Sequence, residues 1–159
     1  MRYSQNMRLT DILSPQAVII PLTGTTKQQV IAEMIDRLAA IGSVSDRDLA
    51  IRAVMEREQT RTTGIGAGLA VPHGKCGAVT QLVMAVGKPA EPLDFQSIDG
   101  KPVSVVFLML SPIDKTGPHI QALARISRLF SLDTVRKQLL AAATTDDVYR
   151  VLTAQDQPV

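Results

Sequence analysis

Residues 103–110 read Val-Ser-Val-Val-Phe-Leu-Met-Leu, a run in which Ser104 is the single polar side chain. A strand with one wet face alternates apolar and polar positions, because successive side chains point to opposite sides of the sheet. This run does not alternate, so both of its faces need cover. It is also far too short to cross a membrane, which takes roughly 20 apolar residues. The chain must build a sheet around this strand and place helices on both sides of it.

The remaining sequence supplies the parts. Residues 17–20 and 82–86 are predicted strands, the first closed by Pro21. Thr25 or Thr26 caps a helix whose apolar set is Val30, Ile31, Met34, Ile35, Leu38 and Ile41, with Gly42 as its terminator. Ser45 and Asp46 open a second helix over 46–58, carrying Arg57 and Glu58 at its end. Thr10 caps a short helix over 11–13. Gly117 and Pro118 start another, with Ile120, Leu123, Ser127 and Phe130 in one stripe. Two further helices fit 133–142 and 145–152, and the link 87–98, with Pro89 and Pro92, reads as a long surface connection. Strands alternating with helices give an α/β layer fold.

A chain of 159 residues with 45% apolar and 20% charged side chains is expected to form one globular domain. A net charge of +2 without like-charge blocks, and only 3% aromatic residues, argues against nucleic acid as a partner. The polar N-terminus leads to no secretory apolar core, so a cytoplasmic location without membrane insertion is expected. Residues 1–8 read as an N-terminal extension with no need to be ordered, Met7 being a second possible start, and the domain proper as 9–155. The lone Cys76 can form no internal disulfide and lacks the companions a structural zinc site requires. It reads as a packing residue, and neither a metal nor a cofactor is expected.

Residues 62–74 carry the chemistry: Thr-Thr-Gly-Ile-Gly-Ala-Gly-Leu-Ala-Val-Pro-His-Gly. Gly64, Gly66 and Gly68 make a pliant segment, 69–71 a short strand that Pro72 stops. His73 arrives just past that strand end, with Gly74 removing bulk beside it. A neutral imidazole in such a place can act as a nucleophile at physiological pH. A lone histidine between proline and glycine is better read as a turn histidine bonded to backbone, and only the rest of the segment shifts the balance toward the nucleophile. The glycine run is neither a phosphate-binding P-loop nor a dinucleotide fingerprint. Thr62 and Thr63 could give hydroxyls to a phosphate.

Taken in order, several segments resemble one family: 9–15 (Leu-Thr-Asp-Ile-Leu-Ser-Pro), Glu56-Arg57-Glu58, the glycine run through His73-Gly74-Lys75, and Leu93-Asp94-Phe95 with Asp99-Gly100. Pro102-Val103, 105–108 and His119-Ile120-Gln121-Ala122-Leu123-Ala124 continue the match. Together they resemble the mannitol/fructose-type enzyme IIA domains of the bacterial phosphotransferase system (PTS), nearest the nitrogen-regulatory branch. The resemblance implies a mixed sheet flanked by helices on both faces. It implies that His73 is transiently phosphorylated, on Nε2, by a small histidine-phosphorylated (HPr-like) carrier protein, with His119 and Arg57 stabilising the phosphate. Thr63, Gly64, Ile65, Leu69 and Gly74 are the binding positions expected around it, with Ile65, Leu69 and the residues after Lys75 expected to form the rim of an apolar docking patch.

Downstream, the resemblance implies either a regulatory target protein or a sugar permease IIB domain. Taken without it, His119 is as well read as a helix cap or an exposed residue, and Arg57 as a partner of Glu56 or Glu58. Two other classes stand beside the phosphocarrier: a non-catalytic binding module, and a hydrolase using His73 with a serine. Ser104, Ser111 and Ser127 lack the sequence context of an activated nucleophile.

Overall fold

The computed structural model describes residues 7–155. A 3₁₀ turn, Leu9–Asp11, leads into β1 (Leu13–Leu22), α1 (Lys27–Ala40) and α2 (Arg47–Thr60). Then come β2 (Gly64–Gly66), β3 (Leu69–Ala70), β4 (His73–Lys75), β5 (Val83–Pro89) and β6 (Val105–Ser111). Helices α3 (Thr116–Ser131), α4 (Asp133–Ala141) and α5 (Thr145–Gln155) complete the described chain. Side chains do the capping at three helix starts, one of them α5, where Thr144 Oγ1 accepts from the Asp147 amide at 3.1 Å. Thr26 accepts from the Gln29 amide at the start of α1, and Asp46 from the Leu49 amide at 3.1 Å at the start of α2.

The six strands form one mixed sheet ordered β1-β5-β6-β3-β2, with β4 also paired to β6. Strand β6 is buried at every position, as its unbroken apolar run requires. It runs antiparallel to β5 and parallel to β3 and β4. Helix α1 packs on β1 and β5, α2 on β4, α3 on β6 and α5 on β1. Helices α1 and α2 also pack on each other, as do α3 with α4 and α4 with α5. The sheet flanked by helices on both faces is therefore the observed architecture.

Several local expectations give way. The helix expected over 11–13 is the 3₁₀ turn, and β1 begins at Leu13 and runs through Pro15 and Pro21. An edge strand tolerates proline because one side of it has no ladder to break. Helix α3 starts at Thr116, with Pro118 inside the first turn, where backbone N–H groups have no intrahelical acceptor anyway. The link 87–98 is a surface connection only in part: Ala90, Glu91, Pro92, Asp94, Gln96 and Ile98 are exposed, but β5 continues to Pro89, Leu93 pairs with Val103, and Phe95 is fully buried. Gly87 lets β5 lie against β1, since a Cβ there would stand 2.6 Å from Leu22 Cδ1.

Met7 belongs to the core and the Arg8 amide bonds to Asp11 at 2.9 Å, so these two residues are built into the domain. The rest of the expected N-terminal extension, residues 1–6, lies outside the described residues. At the other end of the molecule Lys88 reaches from β5 to the end of α4. Its ammonium donates to the carbonyls of Leu139, Leu140 and Ala142 at 2.8, 2.8 and 2.6 Å. A cation is well placed against the negative end of a helix.

Candidate functional site

Strands β3 and β4 lie end to end along one side of β6. Leu69 and Ala70 face Val105 and Val106, and His73, Gly74 and Lys75 face Met109, Leu110 and Ser111. Pro72 interrupts the pairing without ending it, its carbonyl accepting from the Met109 amide at 3.0 Å. His73 therefore opens a second strand segment, contrary to its expected place beyond a strand end. The register of β4 on the central strand fixes its backbone.

The imidazole is half-buried, and Nδ1 lies 2.7 Å from the Val71 carbonyl. A carbonyl only accepts, so Nδ1 carries the proton and the lone pair of the neutral ring is on Nε2. Burial is the main reason the His73 pKa falls below its ordinary value, and the Arg57 guanidinium lowers it further. The Val71 bond and the Glu58 carboxylate oppose this without reversing it. His73 is thus a neutral imidazole rather than a cation at physiological pH, the form in which a ring nitrogen has a lone pair to offer.

His119 stands beside it, with ring centroids 5.3 Å apart. It lies in the first turn of α3 and is buried, not exposed. Its Nδ1 is hydrogen-bonded to the hydroxyl of Ser111, the last residue of β6. Desolvation first, then the proximity of His73 and Lys75, pushes its pKa down to about 4.

Arg57, in the last turn of α2, donates Nη1 to the Arg61 carbonyl at 2.8 Å. It lines a cleft of about 240 Å³ that also takes in His73, Arg61, Ile65, Ile98 and Leu123. The ion pairs with glutamate weighed for it do not form around it, because Glu58 is committed elsewhere. Glu58 is buried and bridges to Lys27 at 2.9 Å. Lys27 also donates to Gln96 Oε1 at 2.8 Å and lies 4.9 Å from the centre of the Phe95 ring.

The threonines are equally committed. Thr63 gives its hydroxyl to Glu58 and its amide to Glu58 Oε2 at 2.9 Å, and Thr62 gives its hydroxyl to the Phe95 carbonyl at 2.7 Å. Neither hydroxyl proton is left for a phosphate. Gly64 is buried against Ser97, and a Cβ on it would stand 2.4 Å from Ser97 Oγ. Leu69 is fully buried in the sheet and cannot form a rim, because β3 carries both its side chains into the core. Gly74 has another use than clearing space beside the imidazole: a Cβ there would approach Ala53 C and Val54 N at 3.1 Å, so it lets β4 press on the α2 backbone.

Ile65, 44% exposed, does stand at the cleft, and Ile98, 61% exposed, joins it from the loop before β6. Sequence reasoning assigns Ile98, Arg61 and the Lys27–Glu58 pair no part in the site, Leu123 only a place in a helix stripe, and Ser111 only that of a serine without nucleophile context. An isoleucine isolated in the polar stretch 96–101 was the one readable signal among them. Among the described residues, no cluster of three or more His, Cys, Asp or Glu gathers. No described helix is long and apolar enough to cross a membrane.

The chain belongs to the family described as "Phosphoenolpyruvate-dependent sugar phosphotransferase system, EIIA 2", which matches residues 11–155. Within it, the chain is 34% identical over 146 residues to a nitrogen regulatory protein of Bradyrhizobium diazoefficiens, covering 92% of this chain and 95% of that one. It is 36% identical over 149 residues to a PTS fructose-specific EIIA component of Haloferax volcanii, covering 92% and 97%. It spans only 24% of the PTS fructose-specific EIIABC component of Bacillus subtilis, at 32% identity. The crystal structure of the nitrogen regulatory protein IIA-Ntr from Neisseria meningitidis superposes with a TM-score of 0.81 at 30% identity, over 89% of this chain and 97% of that one. The chain is thus a phosphotransfer component of PTS EIIA type, with relatives on both the nitrogen-regulatory and the sugar-specific side.

Proposed function

We propose that this chain is a cytoplasmic phosphocarrier that accepts a phosphoryl group on His73 Nε2 from a histidine-phosphorylated, HPr-like carrier. The single observation that carries this is the His73 tautomer: Val71 holds the proton on Nδ1 and leaves the Nε2 lone pair beside Arg57. In the transfer, that lone pair forms the new N–P bond while the P–N bond to the carrier's imidazole breaks, its electron pair returning to the carrier's ring. The Nδ1 proton of His73 stays where it is. Such transfers depend on alignment and on neutralising the oxygens of the transferring group. Arg57 supplies planar N–H donors and His119 a second imidazole. The exposed isoleucines offer an apolar surface on which the carrier can dock transiently.

Incubation with phosphoenolpyruvate, enzyme I and the carrier should give an acid-labile, base-stable label on the chain. His73→Ala should take up none, and label retained by that variant refutes the assignment.

The output is read as regulatory, in line with the nitrogen regulatory relatives, with the added phosphate charge switching a contact to a target protein. Pull-downs with unmodified and phosphorylated chain should recover different partners. The sugar-specific reading, with phosphate passed to a permease IIB domain, draws support from the Haloferax fructose-specific component, 97% of which this chain covers. Rapid loss of label to a IIB domain would favour that second reading.

A further inference from the structure

Ser111 is the last residue of the fully buried strand β6 and has no exposure of its own. Its place is fixed from the backbone: it pairs with Lys75 in register, and its carbonyl accepts from the Cys76 amide at 3.0 Å. Its hydroxyl meets Nδ1 of His119. Only one arrangement of protons satisfies both groups. A buried hydroxyl proton needs an acceptor, and the acceptor the structure gives it is that nitrogen. The reverse arrangement, with Nδ1–H pointing at the oxygen, strands the serine proton in the core. We propose that Ser111 is a positioning residue for phosphoryl transfer: by donating to Nδ1 it keeps the His119 proton on Nε2, where a phosphoryl group on the neighbouring His73 can accept it.

The two histidines then hold opposite tautomers. His73 carries its proton on Nδ1, given to Val71, and offers an Nε2 lone pair. His119 carries its proton on Nε2 and offers a donor 5.3 Å away, ring centre to ring centre. Burial keeps His119 neutral, so this ring has one lone pair to place and Ser111 decides where it goes. Without the serine both tautomers become accessible, and a lone pair turned toward the phosphate repels its oxygens. No proton moves and no bond to Ser111 forms; its effect is wholly through His119. The inference rests on the reading of His73 as the phosphoryl acceptor.

The test combines a spectrum with a rate. In the full chain labelled with ¹⁵N-histidine at pH 7, the His119 ring nitrogens should show Nε2 protonated and Nδ1 bare. Ser111→Ala should mix the tautomers and slow labelling by the phosphorylated carrier, roughly tenfold or more by comparison with removal of one transition-state donor. Ser111→Thr, which keeps the hydroxyl, should restore both. A wild-type spectrum with the proton on Nδ1 overturns the proposal, and so does a Ser111→Ala chain labelled at the parent rate. The wild-type spectrum needs no variant, so it decides the tautomer even if Ser111→Ala folds poorly. A parent chain that no phosphorylated carrier labels overturns the phosphocarrier reading instead, which the spectrum does not touch.

Discussion

His73 and His119 are the only histidines in the chain and they stand side by side, yet their hydrogen-bond partners separate their tasks. Val71 presents an acceptor and Ser111 a hydroxyl, so Nδ1 of His73 donates to a carbonyl while Nδ1 of His119 meets a hydroxyl, and each ring leaves Nε2 free. His119→Gln should accept label more slowly, by on the order of 10²-fold, with its final capacity intact; a time course against the parent measures this. The same residue sets a pH dependence. Its pKa is about 4 in the fold against an ordinary 6.5, so the folded chain binds fewer protons than the unfolded one between those values. Stability is full above pH 6.5 and declines as pH falls toward 4, by on the order of 3 kcal/mol from this group. Urea midpoints at pH 7 and pH 4.5 should differ clearly in the parent and less in His119→Gln. His73 shifts in the same direction, so a residual slope should persist in that variant.

Among the elements, α1, α2 and the strand that follows Thr63 are joined by one buried ion pair. Lys27 opens α1, Glu58 lies in the last turn of α2, and Thr63 leads into β2. A buried pair is weak evidence for net stability, but removing one partner leaves the other charged in the core. Lys27→Met should cost about 3–5 kcal/mol in denaturant unfolding, and Lys27→Met with Glu58→Gln should recover part of that loss. A double variant no more stable than Lys27→Met would show that Glu58 keeps its value through Thr63 alone. The sequence shows the helices plainly, since Val30, Ile31, Met34, Ile35 and Leu38 repeat at helical spacing. It does not show this pair, because residues 31 positions apart meet only through the fold. Leu69 fails as a rim residue for a related reason: its exposure depends on the register of β3 against β6, which no local pattern reveals.

For the molecule as a whole, recognition should be read from the cleft's apolar edge. Ile65 and Ile98 are exposed there, contributed by segments far apart in the chain but tied together, the Ile98 amide donating to the Gly64 carbonyl at 3.0 Å. Ile65→Asp should raise the carrier concentration needed for half-maximal transfer while leaving the melting temperature near the parent's, because the side chain already sits in water. Equal transfer at limiting carrier would move the docking surface elsewhere. The sheet and most helices are legible in the sequence through periodicity and caps. His73 is legible through its glycine-rich approach, and His119 and Arg57 through family likeness. The loop that carries Phe95 and Ile98 is not, since its prolines read as exposure while its contacts come from Gly64 of β2, Thr62 and Lys27 of α1.

The seating of His73 on the ladder of β4 and β6 has a kinetic consequence. A group held in register against the central strand β6 cannot swing toward one protein and then another, so under the proposed phosphocarrier function delivery and collection fall to partners that diffuse in and out. Turnover under limiting carrier should therefore slow in proportion to solvent viscosity as sucrose or glycerol is added. The domain itself would behave as a fixed terminal in a circuit whose moving contacts all belong to other molecules.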